Sequence, residues 1–503
     1  MRRIFNGLLI FSATLAWASL SSLAVEKRPN VLLILGDDHA AYALSCYGHP
    51  VVRTPNLDRL AARGARFEHA YCNSPMCTPS RQSLLTGRMP HATGVTLLKS
   101  ALSDQEITLA EVLQATGYRT AAIGKMHFNS ALTHGFERRL DQPDHREHLK
   151  LQPPRPLPEN IKTLGPWRPF RDPARQWLNA GTLPFAARDA EMTGTYFAEQ
   201  AGEWLKSSDE PFFMTVSFYE PHSPFHFPIE YAGRIDGQKL PVPPVVFDDG
   251  PQIPLIFRDL TTADKQGIAA AYYTSVEFLD KNIGRVLDAL DASGRADDTL
   301  VIYAGDHGYH LGHHGRFEKH AFFEEAIRAP LLIAWPKKIA AGQVVPQLVE
   351  FIDLFPTVAA ACQVTLPPDR HGKCLLPLVD GSPPAPPLHE AVFGVYGEDE
   401  EAMIRTPNWK LIYCSGTRAR DDGYKTDQPT PGRTVRLFDL EHDPQEAHNL
   451  SADPNQQPRV EGLKQRLAQR LAETCQPSQK APDGLSLDQQ LDWYVFPPEL
   501  RGR

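Results

Sequence analysis

The sequence predicts an α/β fold with a largely parallel central sheet flanked by helices, followed by a smaller C-terminal α+β domain. Three observations predict it: short apolar β-branched runs, helical stretches between them, and a change of texture after residue 385. The runs at 31–35, 120–123, 212–218, 300–304 and 331–335 are continuously apolar, as strands buried on both faces are. Segments 57–64 and 265–290 carry helical spacing between them. Beyond residue 385, segments 391–396, 409–413 and 435–439 read as strands, Asp443-Pro444 as a turn and 459–473 as a helix, with a docked tail from Gln476. The expected domains are therefore 25–384 and 385–503.

At 503 residues with 42% hydrophobic and 22% charged, the chain has the composition of a large globular protein. Its 60 acidic residues outnumber 52 Lys plus Arg, a net charge of −8. That leaves no global basic field to attract a polyanion, so no nucleic-acid partner is expected. Proline is abundant, 45 in all, and two segments concentrate it: 141–184 with nine and 221–254 with eight. Both lack periodicity and are expected to be loops that wall a pocket.

Arg2 and Arg3 precede an apolar run at 8–20, and Ser22-Leu23-Ala24 then supplies small residues at the positions a signal peptidase reads. Residues 1–24 are thus expected to be a cleaved export signal, placing the mature chain in the periplasm or outside the cell. The run is shorter than a bilayer span and carries Ser12, Thr14 and Ser19, so no stable membrane anchor is expected. Seven cysteines are too few for a disulfide scaffold, and an odd number leaves at least one unpaired. None forms a C-x-x-C pair, which gives a thiolate zinc site little support.

In an open α/β sheet, ligands bind beyond the carboxyl ends of the strands. Four runs deliver unusual residues there: Gly36-Asp37-Asp38-His39, Gly124-Lys125-Met126-His127, Tyr219-Glu220-Pro221-His222 and Gly305-Asp306-His307-Gly308. Any one of these could simply cap a helix or fill a turn. Together they crowd three aspartates onto one edge, where they would repel unless a cation neutralised them. Hard oxygen ligands suit Ca²⁺ or Mg²⁺, so a divalent metal site is the economical reading.

Cys77-Thr78-Pro79-Ser80-Arg81 adds a fifth element. Proline near a helix start and the Leu84-Leu85 pair predict a helix beginning there, which puts Cys77 beside free amide donors and the positive end of the dipole. Such a place favours an anionic nucleophile and an anionic ligand.

These residues carry a family resemblance. Cys77-x-Pro79-Ser80-Arg81-x-x-x-Leu85-Thr86-Gly87-Arg88 is similar to the first signature of the type I sulfatases at every fixed position. Gly117-Tyr118-x-Thr120-x-x-x-Gly124-Lys125-x-His127 is similar to the second. The resemblance runs from Arg28-Pro29-Asn30 to Leu437-Phe438-Asp439-Leu440-x-x-Asp443-Pro444-x-Glu446. It implies an alkaline-phosphatase-like fold and a sulfuric ester hydrolase.

In such enzymes the signature cysteine is oxidised to Cα-formylglycine by a formylglycine-generating or maturase enzyme, and Cys77 occupies that position. The resemblance implies that one hydroxyl of the hydrated aldehyde attacks sulfur and expels the alcohol, after which the other ejects sulfate. It further implies one metal ion, Ca²⁺, held by Asp37, Asp38, Asp306, His307 and an oxygen of modified Cys77. Arg81 is expected to hold the hydrate, Lys125 and Lys319 to bind sulfate oxygens, His127 to accept a proton and His222 to protonate the leaving alcohol. Lys319 competes with Lys337 and Lys338 for its role. The pair Asp306-His307 departs from the commoner Asp-Asn and resembles the iduronate-2-sulfatase-like branch; an imidazole there makes the choice of Ca²⁺ less strict.

Export and long loops point to a sulfated carbohydrate or small sulfated molecule as substrate. Two other readings compete: a phosphomonoester or phosphonate monoester hydrolase on the same scaffold, and a non-catalytic protein that binds sulfated glycans. His310, His313, His314 and His320 raise the separate idea of a zinc cluster, but the glycines between them favour a rim loop.

Overall fold

The computed structural model describes residues 28–501 apart from 154, 167, 169–172, 382–385, 418–422 and 427–431. The expected export signal at 1–24 and the boundary at 384/385 lie outside the described residues.

An eight-stranded sheet forms the centre of the molecule. Its strands are β1 (Asn30–Gly36), β2 (Ala65–Tyr71), β3 (Arg119–Gly124), β4 (Arg138–Leu140), β5 (Phe212–Ser217), β6 (Thr299–Gly305), β7 (Leu331–Ala334) and β8 (Gln343–Glu350), in the order β4-β3-β5-β1-β6-β7-β2-β8. All neighbouring pairs are parallel except β6 with β7 and β7 with β2. Alternate residues of β1 feed opposite faces: Val31, Leu33 and Leu35 join one core, Leu32 and Ile34 the other. Both faces are covered by helices, which is why β1 reads as an unbroken apolar run. The 31-residue helix Thr262–Ala292 packs Leu279, Ile283, Val286 and Leu287 into the second core.

Strands β2, β4 and β8 escape the sequence reading for a physical reason. β2 carries the half-buried polar residues Arg66, Glu68 and His69, and β8 contains Pro346. Proline is tolerated because β8 is an edge strand and lacks a partner on one side. β4 has only three residues.

A second, antiparallel sheet follows, with β9 (Val392–Tyr396), β10 (Glu401–Arg405), β11 (Trp409–Cys414) and β12 (Thr434–Asp439) in sequential order. Helices Gln457–Thr474 and Leu487–Val495 cover it through Leu467, Leu471 and Leu491, so the tail after Gln476 is docked. Met89, Ala92 and Ile352 of the main body belong to the same core. β10 is central, yet its ends are Glu401 and Arg405; Glu401 is buried because Arg436 pairs with it at 2.8 Å.

Candidate active site

Four neighbouring strands, β3, β5, β1 and β6, end level with one another. Gly36 is opposite Gly305, Leu35 opposite Ser217, and Ser217 opposite Gly124. The residues that follow each strand therefore meet at one edge, as the topology of an open parallel sheet requires. Gly124 has φ +97°, and a Cβ there would meet the Ser217 carbonyl oxygen at 1.9 Å, so only glycine lets β3 release Lys125 at this level. Asp38 and His127 also hold left-handed backbone, at φ 62° and 60°, a strained state that the surrounding packing enforces.

The helix Cys77–Thr86 begins at Cys77 and is buried along its whole length. It delivers Cys77 and Arg81 to the same edge. Arg81 Nε donates to Asp306 Oδ2 at 2.8 Å, and its Nη1 donates to the Lys125 carbonyl at 2.7 Å and Ser217 Oγ at 2.6 Å. Ser80 Oγ donates to the Asp306 carbonyl.

Asp37, Asp38, Cys77 and His307 each offer a ligand atom within 4.8 Å of the others, all buried. His307 Nδ1–H donates to the Gly308 carbonyl at 3.0 Å, which turns its Nε2 toward the group, 3.3 Å from Cys77 Sγ and 3.5 Å from Asp38 Oδ1. Asp37 Oδ1 and Asp38 Oδ2 make no hydrogen bond among the described residues. Buried carboxylate oxygens left over beside an oriented imidazole fit a divalent cation. Asp306 Oδ1 lies 3.6 Å from the same His307 Nε2 and accepts the backbone N–H of Asp38 and of His307, both at 3.0 Å, while Oδ2 takes Arg81.

Two ammonium groups complete the edge. Lys125 pairs with Asp37 Oδ2, and Lys319 Nζ lies 2.7 Å from Asp38 Oδ1. Lys319 comes from the 306–320 loop, which closes where His310 N–H donates to the Glu318 carbonyl at 3.0 Å. Lys337 instead pairs with Asp298 at the surface. His222 Nδ1–H donates to the Ser223 carbonyl at 2.8 Å, and its Nε2 is 4.0 Å from Asp38 Oδ2.

Burial works to raise the carboxyl value of Asp37, but Lys125, His222 and Arg81 hold it well below the ordinary range. Burial likewise opposes ionisation of Asp38, where Lys319 wins and lowers the value. Burial together with Lys125 and Arg81 pushes His127 down to about 2, so its imidazole is neutral. Three carboxylates (Asp37, Asp38, Asp306) thus face three fixed cations (Arg81, Lys125, Lys319). A divalent ion added to this balanced set leaves a surplus of two positive charges to meet an anion.

These groups open into a cavity of about 750 Å³ lined by Asp38, Cys77, Lys125, His127, His222 and Lys319. The proline-rich segments supply walls: Asp141, Gln142 and Trp177 from the first, Ser223, Pro224 and His226 from the second. Sequence reasoning assigned no role to Ser217, Tyr219 or Asp141. A signal existed for each: Ser217 ends a strand, Tyr219 follows it by two residues, and Asp141-Gln142-Pro143-Asp144 has the spacing of a capping box, which it forms.

The four loop histidines do not converge. His310 bonds the Glu318 carbonyl, His314 meets Asp249 and Glu325, His313 meets Glu325, and His320 stacks on Tyr396. His314 alone joins a potential ligand group, with Glu325 and Glu446, and there Lys410 already pairs with Glu446 at 2.6 Å.

The sulfatase family profile matches residues 29–364. The chain belongs to the sulfatase family. As such it is a sulfuric ester hydrolase, and a profile described as N-sulphoglucosamine sulphohydrolase, C-terminal, matches residues 312–473. The sulfatase is 27% identical over 509 residues to the N-acetylglucosamine-6-O-sulfatase of Bacteroides thetaiotaomicron, taking in 88% of this chain and 86% of that one. It is 28% identical over 421 residues to the iduronate 2-sulfatase of Homo sapiens, with 73% and 74% covered. Its fold is similar to the phosphonate monoester hydrolase of Agrobacterium radiobacter, with a TM-score of 0.74 and 25% identity over 89% of this sulfatase and 96% of that chain.

Proposed function

We propose that this sulfatase acts on sulfate monoesters of carbohydrates, uses formylglycine derived from Cys77 together with one Ca²⁺, and works in the periplasm or outside the cell. One observation carries the reading: Cys77, at the start of a buried helix, lies 3.3 Å from an oriented imidazole and beside two aspartates, each held by a buried lysine.

The cation would be held by Asp37, Asp38, His307 and an oxygen at position 77, with Asp306 bracing the shell through Arg81 and two backbone amides. It would supply Lewis-acid polarisation of sulfate oxygens, and the predominance of oxygen donors favours Ca²⁺. The hydrated aldehyde would supply the nucleophilic oxygen and allow sulfate to leave without water attacking sulfur. The chain's own residues do the rest. Lys125 and Lys319 bind sulfate oxygens, and Arg81 offsets charge at position 77. His127, neutral, accepts the hydrate's proton, and His222 Nε2, turned outward by the Ser223 carbonyl, donates one to the departing alcohol.

A cavity of this size holds one or two sugar units. The relatives named for N-acetylglucosamine and iduronate sulfates support a sulfated glycan. Export rests on residues 1–24 and is tested by N-terminal sequencing of the mature protein. Activation requires a maturase that, with an electron acceptor such as O₂, oxidises Cys77 Cβ by two electrons, so that its sulfur leaves as sulfide and an oxygen from water takes its place in the aldehyde. Mass spectrometry of the Cys77 peptide tests this: aldehyde or hydrate is expected, whereas an intact thiol in a chain that cleaves no sulfate ester would leave a glycan-binding protein. The likeness to a phosphonate monoester hydrolase favours a second reading, and matched aryl sulfate and aryl phosphate esters decide between them.

A further inference from the structure

We propose that Tyr219 is a positioning residue for Lys125, anchored from outside the catalytic edge by Asp141. The inference rests on the assignment of Lys125 to sulfate binding.

Parallel pairing of β3 with β5 places Gly124 opposite Ser217, and Lys125 N–H donates to the Ser217 carbonyl at 3.0 Å. The first residues beyond the two strands therefore run side by side. Lys125 Nζ lies 5.5 Å from the centre of the Tyr219 ring, within range of a cation–π attraction. The far end of that ring is fixed: Tyr219 O–H donates to Asp141 Oδ1 at 2.9 Å. Asp141 is itself held by the helix it caps, Gln142–Lys150, which forms where a loop was expected: Oδ1 accepts Gln142 N–H at 2.7 Å and Asp141 N–H donates to Asp144 Oδ2 at 2.8 Å. Burial and the Asp141 carboxylate raise the phenol far above its ordinary range, so it stays a donor. Phe197 packs against the same ring, 6.3 Å between centres.

The arrangement suits an ammonium that must bind an anion. Asp37 already pairs with Lys125, and a second carboxylate in contact would cancel the charge that sulfate needs. An aromatic face attracts the ammonium without contributing a full negative charge, and leaves N–H groups for sulfate oxygens. Asp141, the residue that anchors the ring, opens the proline-rich segment 141–184 and lines the same cavity, so a wall of the cavity is tied to the sulfate-binding cation through a single phenol.

The test measures KM and kcat for an aryl sulfate and the inhibition constant of inorganic sulfate, using the metal-loaded, mature enzyme. Tyr219→Leu, which removes ring and anchor, should raise KM and the sulfate inhibition constant about 5- to 10-fold with a smaller change in kcat. Tyr219→Phe keeps the ring and should recover much of that loss. Asp141→Ala, which removes the acceptor, should match Tyr219→Phe, and the two combined should add nothing further. Lys125→Met separates the two levels of the argument. If it leaves sulfate inhibition unchanged, the assignment of Lys125 fails and the inference with it. If it weakens inhibition while Tyr219→Leu, at wild-type Tm, does not, the positioning role alone is overturned. Should Tyr219→Leu fail to fold, additive losses in Tyr219→Phe and Asp141→Ala overturn it instead.

Discussion

Lys319 Nζ lies 2.7 Å from Asp38 Oδ1, and both side chains are withdrawn from solvent. A buried ammonium costs desolvation energy, offset here because Asp38 and Asp37 hold it charged and raise its value well above the ordinary range. The pair is the counterpart of Lys125 with Asp37, and both lysines line the cavity into which Cys77 opens.

Removing one such cation should cost transition-state stabilisation. Lys319→Ala is expected to lower kcat/KM by about 10² to 10³. Lys337→Ala, which removes a surface partner of Asp298, should stay within a few-fold of wild type. Comparable losses in both variants would refute the assignment.

His222 should matter in proportion to how badly the leaving group needs a proton. On a sugar or alkyl sulfate, His222→Ala is expected to lose about 10² to 10⁴ in kcat. On an activated aryl sulfate the loss should be slight. Equal losses across a leaving-group series would remove His222 from the acid role.

Chelation should abolish turnover and lower Tm, and added Ca²⁺ should restore both. At a hundredfold excess over Kd, a bound ion stabilises the fold by about 2.7 kcal/mol. Asp37→Asn should lower ion content in the purified protein. Asp306→Asn should retain more of the ion but destabilise the fold, since it weakens the acceptor for Arg81 and two backbone amides. Equal ion loss in both variants would place Asp306 inside the ligand group.

Stability should also carry a signature away from the active site. Burial works to lower the value of His314, but Asp249 at 2.8 Å and Glu325 at 3.5 Å raise it from an ordinary 6.5 to about 9. The folded chain thus binds this proton more tightly than the unfolded one. Its contribution, about 3 kcal/mol, is complete below the unfolded value and is lost as pH rises through the folded one. Thermal unfolding between pH 6.5 and 9 should show a fall in Tm that flattens in His314→Gln. An unchanged slope would assign the fall to other groups.

The strands that carry the site were legible because they are buried on both faces. Segments 31–35, 120–123, 212–218 and 300–304 became β1, β3, β5 and β6 with ends shifted by one residue at most. Strands β2, β8 and β10 were not: β2 keeps its polar residues at half-buried positions, β8 is an edge strand, and Glu401 of β10 is paired with the distant Arg436.

Local order along the chain determined which residues stand just beyond each strand, and so named Asp37, Asp38, Lys125, His127, His222, Asp306 and His307 as neighbours in waiting. The start of the helix at Cys77 was equally local, set by Pro79 and the buried run after it. Tertiary structure decided the rest. That Lys319 and not Lys337 reaches Asp38, that Asp306 takes Arg81 and two backbone amides, and that Asp141 anchors Tyr219 all depend on strand order and loop closure. Those arise from contacts between residues dozens to hundreds of positions apart, which no local pattern encodes.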